Sequence, residues 1–219
     1  MAINAILDTD KFKFVGMPLI GSLQKIMIKI KYGNTNTFFI QGDHSGLLVD
    51  TDYAGTISGF YKALKHSGIR VKDIEYVMAT HYHPDHMGLI SELMKQGVKL
   101  LLIDTQKDYI DHSDKIFARD KIPYMPIDKM LATIISCDAS RDLLKQMGIS
   151  GEIVTTASHS EDSVSLILDS GDCLVGDLEP FEYIEAYGEN IKLKKDWEII
   201  LSFQPERIYY SHRPEKIMD

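Results

Sequence analysis

Little in this chain of 219 residues speaks for covalent staples or a membrane. Its two cysteines, Cys137 and Cys173, are too few for a disulfide scaffold and lack metal-knuckle spacing, so a reducing compartment is the natural setting. No stretch approaches the roughly 20 apolar residues that cross a bilayer. The opening MAINAILDTDKFKFVG lacks the basic start and apolar run of a secretion signal. A cytoplasmic protein without membrane contact is the expectation. Basic residues are also in short supply: 24 Lys and Arg against 32 Asp and Glu leave a net charge of −8. That balance disfavours a nucleic-acid binder, whose affinity comes from clustered cations. Internal repeats, low-complexity tracts and Pro/Gly/Ser linkers are missing as well. What is present is ordinary globular composition, 44% hydrophobic and 26% charged. Against a soft prior of about 150 residues per domain, one domain over residues 1–219 is expected.

Short apolar or alternating runs recur along the chain. QKIMIKIKY (24–32), NTFFIQ (36–41) and GLLVD (46–50) read as strands with turn residues between them. Helical spacing and a glycine stop mark 53–68, followed by a buried strand at 74–81. Helices are expected at 86–97, 105–119 and 138–148, with strands at 98–104, 131–137 and 152–158 between and after them. The two prolines around Tyr124 and Met125 make 120–130 a loop that could lie over a site, and Phe117, Tyr124 and Met125 either line a substrate pocket or pack beneath that loop. A hairpin turned at Ser170-Gly171, two helices (179–187 and 190–203) and a strand at 206–212 complete an α/β chain of sheets packed between helices.

The informative segment is Thr80-His81-Tyr82-His83-Pro84-Asp85-His86. Histidines two apart on an extended segment point the same way, so His81 and His83 can grip one cation. Asp85 and His86 lie where the chain turns into the next helix and can face a second. Imidazole and carboxylate suit Zn²⁺, Fe or Mn²⁺, with zinc the default. A polar surface turn is the other reading of the same string. His44, His66 and His112 read as solvated surface, and Cys173 as a buried inert thiol.

The HxHxDH pattern from Thr80 to His86 after a hydrophobic strand resembles the metal motif of the metallo-β-lactamase superfamily. That resemblance implies a four-layer αββα sandwich and three later ligands: a His, an Asp after a strand, and a late His. The chain offers His159 in TTASHSEDSVSL, Asp177 in CLVGDL and His212 in YYSHRP. It further implies that His81, His83 and His159 hold one metal, Asp85, His86 and His212 the other, and that Asp177 bridges two divalent ions. Asp50 in LLVDTD matches the family's early buried aspartate, which orients ligands. Many relatives have glycine before the third histidine, where this chain has Ser158. Some place a tyrosine near the reacting carbonyl, a role open to Tyr183 or Tyr187 or replaced by plain packing. Two cations sharing a carboxylate and a water lower that water's pKa towards 7, giving a nucleophilic hydroxide. Asp85 would orient it or pass a proton to the leaving group.

Subtraction narrows the branch. Antibiotic-hydrolysing members typically carry cysteine at the position of Asp177. Glyoxalase II members append a helical domain, whereas seven residues follow His212 here. Nuclease branches insert a domain or basic arm, and flavin-linked diiron members replace the second motif histidine, here His83, by glutamate. A small glyoxalase-like or lactonase-like hydrolase acting on a small molecule is the expectation, cleaving an ester, thioester or lactone. A phosphoester hydrolase, a mononuclear iron persulfide dioxygenase and a non-catalytic metal sensor stay open, as does the oligomeric state.

Overall fold

The computed structural model describes residues 27–186 and 190–218. The first sheet is built from β1 (Met27–Lys31), β2 (Asn36–Gln41), β3 (Gly46–Val49), β4 (Ile74–Met78), β5 (Lys99–Ile103) and β6 (Thr133–Ile135), in that spatial order. β1, β2 and β3 are antiparallel neighbours, and β3 to β6 run parallel. The second sheet comprises β7 (Gly151–Thr155), β8 (Val164–Leu168), β9 (Asp172–Leu174), β10 (Arg207–Tyr209) and β11 (Lys216–Ile217), ordered β11-β10-β9-β8-β7. Helices are α1 (Ile57–His66), α2 (Pro84–Met87), α3 (Ile90–Met94), α4 (Asp114–Asp120), α5 (Cys137–Gln146), α6 (Tyr183–Ala186) and α7 (Ile191–Ser202).

The period-two alternation of strand side chains sorts apolar residues into three cores. Phe39, Leu48, Val77, Leu100 and Leu102 face the helices on one side, packing with Phe60 of α1, Leu93 of α3 and Phe117 of α4. Their neighbours Phe38, Leu47, Met78 and Leu101 point the other way and meet Leu166 and Leu174 of the second sheet. On that sheet's outer face Ile167, Cys173 and Ile208 pack against Leu193, Trp197 and Ile200 of α7. The layers are therefore helix, sheet, sheet, helix, the αββα sandwich expected. Among the described residues no helix is long and apolar enough to cross a membrane.

Several local expectations shift. Residues 24–26 lie outside the described residues, so only 27–31 of the first strand is seen. The helix expected from 53 begins at Ile57, because Gly55 takes φ +86° and Thr56 Oγ1 donates to Tyr53 O at 2.6 Å, closing a turn instead. The helix expected over 86–97 is two short ones, α2 and α3. They meet at Gly88, where a Cβ would stand 2.2 Å from Ala54 N, so backbone packing fixes the break. Of the segment 105–119 only 114–119 is α-helical, in a helix that runs on to Asp120. The part before it is held by side-chain bonds to the histidine segment, described next. The 120–130 stretch is largely irregular, as expected.

Candidate metal centre

Four loops converge at the strand ends of the two sheets. His81 and His83 follow β4, and Asp85 and His86 lie on α2, whose first residue Pro84 supplies a preset φ without wasting an N–H. His159 sits between β7 and β8, Asp177 follows β9 and His212 follows β10. The sheets are stitched on either side: Val164 N donates to Thr80 O at 2.8 Å, and Asn36 N to Ser211 O at 2.7 Å.

Buried polar groups set each loop. Asp50 accepts from Thr80 N (2.6 Å), Thr80 Oγ1 (2.9 Å) and Ser211 Oγ (2.9 Å), and lies 3.0 Å from His86 Nδ1. A proton on His86 Nδ1 given to Asp50 leaves Nε2 facing the cluster. Tyr82 N donates to Asp162 Oδ2 at 2.7 Å, and Ser113 Oγ to Tyr82 O at 2.6 Å, so the residue between His81 and His83 is gripped from both sides. Gln106, fully buried, donates to Ala79 O (3.0 Å), Thr80 O (3.3 Å) and Asp162 O (3.1 Å). Ser158 N donates to Asp196 Oδ2 of α7 at 2.7 Å, which shapes the turn that a glycine shapes in many relatives. Gly176 takes φ +59° and a Cβ there would lie 2.6 Å from Thr80 Oγ1, so only glycine lets Asp177 approach.

The structure brings all seven expected residues together. Ligand atoms of His81, His83 and His159 lie within 4.8 Å of one another, as do those of Asp85, His86 and His212, and those of His81, His86 and Asp177. His83 Nδ1 is 2.9 Å from His81 Nε2 and 3.3 Å from His159 Nε2. His212 Nε2 is 3.1 Å from Asp85 Oδ2 and 3.3 Å from His86 Nε2. Asp177 faces both groups: Oδ2 is 3.4 Å from His86 Nε2 and 3.7 Å from His159 Nε2, while Oδ1 is 3.4 Å from His212 Nε2.

With protein groups alone setting the field, the cluster divides. Burial and four neighbouring imidazoles hold His81 well below its ordinary value, and burial lowers His159. Burial works against a proton on His86 too, but the Asp50 charge and hydrogen bonds with Asp177 and Asp50 raise it to about 10. His212 is raised by its hydrogen bond with Asp85. Burial opposes ionisation of Asp85, yet His212 and His86 outweigh it and hold the carboxyl at about 2. Asp177 is likewise lowered against its burial, chiefly by His86.

These residues fit divalent cations. Five imidazoles and two carboxylates aim nitrogen and oxygen donors at one another, a set suited to zinc or iron. Asp177 Oδ1 is buried and accepts no hydrogen bond among the described residues, an orphan that a cation would satisfy. The family model of the metallo-beta-lactamase superfamily matches residues 30–212. The chain belongs to that superfamily. Its members are in general hydrolytic metalloenzymes. A "Beta-lactamase-like protein 2 homolog" of Drosophila melanogaster is 26% identical over 184 residues, covering 81% of this chain and 58% of that protein. The homologue of the same name in Caenorhabditis elegans is 26% identical over 192 residues, covering 82% and 56%. The chain thus spans little more than half the length of these relatives. Among solved structures, TTHA1623 in a di-iron-bound form superposes with TM-score 0.65 at 16% identity, covering 88% of this chain and 94% of that one.

A pocket of about 220 Å³ opens on the cluster, with His159, Asp177 and His212 in its wall. Phe117 and Tyr124 are not part of it: their rings stack at 4.1 Å within the helix-side core, where Met125 is half-buried nearby in sequence. His44, His66 and His112 are exposed. Cys173 is buried under α7, and burial pushes its thiol up to about 12. Tyr183 packs beside the same core with the Arg213 guanidinium over its ring, whereas Tyr187 lies outside the described residues. Sequence reading missed Gln106, Asp162 and Ser211. Asp162 and Ser211 stand within three residues of expected ligands, which is a usable signal; a lone glutamine in a helix-like run gives none.

Proposed function

We propose that this superfamily member is a metal-dependent hydrolase of small carboxylic esters, thioesters or lactones, using two divalent ions with zinc the default. His81, His83 and His159 would hold one ion, Asp85, His86 and His212 the other, with Asp177 shared. The observation that carries this is Asp177, whose two oxygens face histidines of both groups. Bound there, paired divalent ions would lower the pKa of a shared water towards neutral and would offset oxygen charge in the transition state.

The chain's own residues then have defined tasks. Asp85, held at about 2, stays ionised at neutral pH. Such a weak base orients the attacking water by accepting its hydrogen bond rather than storing its proton. Leu178 and Tyr210 give the pocket apolar wall against which an acyl chain can exclude water. The −8 charge supports a small-molecule substrate over a nucleic acid. Free thiols at Cys137 and Cys173 support a reducing, cytoplasmic setting.

A panel of thioesters, lactones, aryl esters and phosphodiesters, assayed at defined loading with zinc, iron or manganese, tests the reading. Carbonyl substrates are expected to lead. Phosphodiester turnover faster than every carboxylic ester overturns the ranking.

A further inference from the structure

We infer that Arg213 selects substrates carrying a single carboxylate, which deepens the hydrolase reading above and rests on it. The pocket that opens on the histidine cluster has its remaining wall from Leu178, Glu179, Tyr210 and Arg213, with Gly176 at the base of Asp177. Among the described residues that line it, Arg213 is the only Lys or Arg. A guanidinium on an otherwise acidic chain, next in sequence to His212, is a directed feature and not part of a basic field.

Its position is also restrained. The guanidinium carbon lies 5.4 Å over the centre of the Tyr183 ring, and Nη1 stands 3.4 Å from Tyr183 Oη. Restraint of this kind lowers the entropy lost when the planar fork closes on a carboxylate through two parallel hydrogen bonds. Glu179 shares the wall, and Trp197 Nε1 pins its backbone by donating to Glu179 O at 2.8 Å. In this part of the wall one cation, Arg213, stands beside one anion, Glu179. A single guanidinium grips one carboxylate through its fork and offers no run of cations to a chain of phosphates. The volume of about 220 Å³ falls below the roughly 300 Å³ where drug-sized sites begin, so the acid is small. Glu179, His212 and Arg213 are exposed, which lets a larger leaving group project outward.

The reaction stays balanced by water alone. Its oxygen bonds to the acyl carbon, the acyl C–O or C–S bond breaks, and a proton goes to the departing oxygen or sulfur.

The zinc-loaded protein is assayed with mono-4-nitrophenyl adipate and 4-nitrophenyl hexanoate, which share the reacting bond and differ in the distal carboxylate. Wild type is expected to favour the adipate ester roughly tenfold or more in kcat/KM. Arg213→Met should cut adipate turnover roughly 10- to 100-fold, mainly through KM, and leave hexanoate within about threefold. Arg213→Lys should fall between, since it keeps the charge and loses the fork. Equal effects on both esters overturn the inference while leaving the hydrolase reading intact. Where neither ester is cleaved, the hydrolase reading is decided by the wider panel above, and NMR titration with adipanilic acid and hexananilide decides the anion preference. Tighter binding of the acid that Arg213→Met abolishes sustains it; equal binding overturns it.

Discussion

Asp50 adopts φ +58°, a left-handed conformation that aspartate and asparagine tolerate better than most residues. Its carboxylate collects hydrogen bonds from Thr80 and Ser211 and stands against His86 Nδ1, so it ties two of the converging loops, those after β4 and β10. Asp50→Asn keeps the size and the backbone preference but turns an acceptor into a donor. The expected cost is about 2–4 kcal/mol of stability and roughly 10- to 100-fold in metal affinity, read by urea unfolding and metal-competition titration. A loss under about 0.5 kcal/mol, within ordinary surface scatter, would show that Asp50 is not a keystone. His86 makes a second prediction. A folded value raised to about 10 means that its proton stabilises the chelated protein below the unfolded value and that this support is lost as pH rises through about 10. Metal must displace that proton, so affinity should rise between pH 6.5 and 8 by up to about tenfold per unit for each proton released. Calorimetry of zinc binding in buffers of different ionisation enthalpy counts the protons; pH-independent affinity contradicts it. His81, His83, Asp85 and His86 were legible because donor type and short spacing are local properties, whereas His159, Asp177 and His212, scattered along the chain, came only through the resemblance to the superfamily. Arg213 was not, since a lone arginine acquires meaning only from the pocket wall it joins.

At the scale of elements, β2, β3 and the β8–β9 hairpin followed from alternation and turn residues, because each is paired locally. The helices expected over 53–68, 86–97 and 105–119 were overridden by tertiary contacts. Gly88 seats α2 against the backbone of residues 52–54, and Gln106 and Ser113 turn inward to hold the histidine segment. Such contacts join residues far apart in sequence and leave no period to read. Gln106 lets this be tested apart from any ligand. Gln106→Leu preserves bulk yet strips donors from three buried carbonyls in the two histidine-bearing loops. The expected loss is about 2–4 kcal/mol in the chelated protein, together with weaker binding of the first metal. An unchanged unfolding midpoint would mean that the loops are held without it.

Over the whole molecule, the αββα layering follows from strands that alternate between two apolar faces, and that pattern is visible in the chain from NTFFIQ onward. What patterning does not reveal is how the sheets join. Thr80–Val164 and Asn36–Ser211 stitch them so that residues as distant as His86 and His212 meet. The layered frame thereby turns scattered donors into one site, and the claim at its centre is that Asp177 is shared by two ions. The most direct measurement is elemental analysis of the purified, metal-supplemented protein beside Asp177→Asn. Two ions per chain are expected for wild type and about one for the variant, because the amide removes the negative charge that offsets repulsion between the cations. A wild type with one ion, or a variant that keeps both, contradicts the shared-carboxylate site.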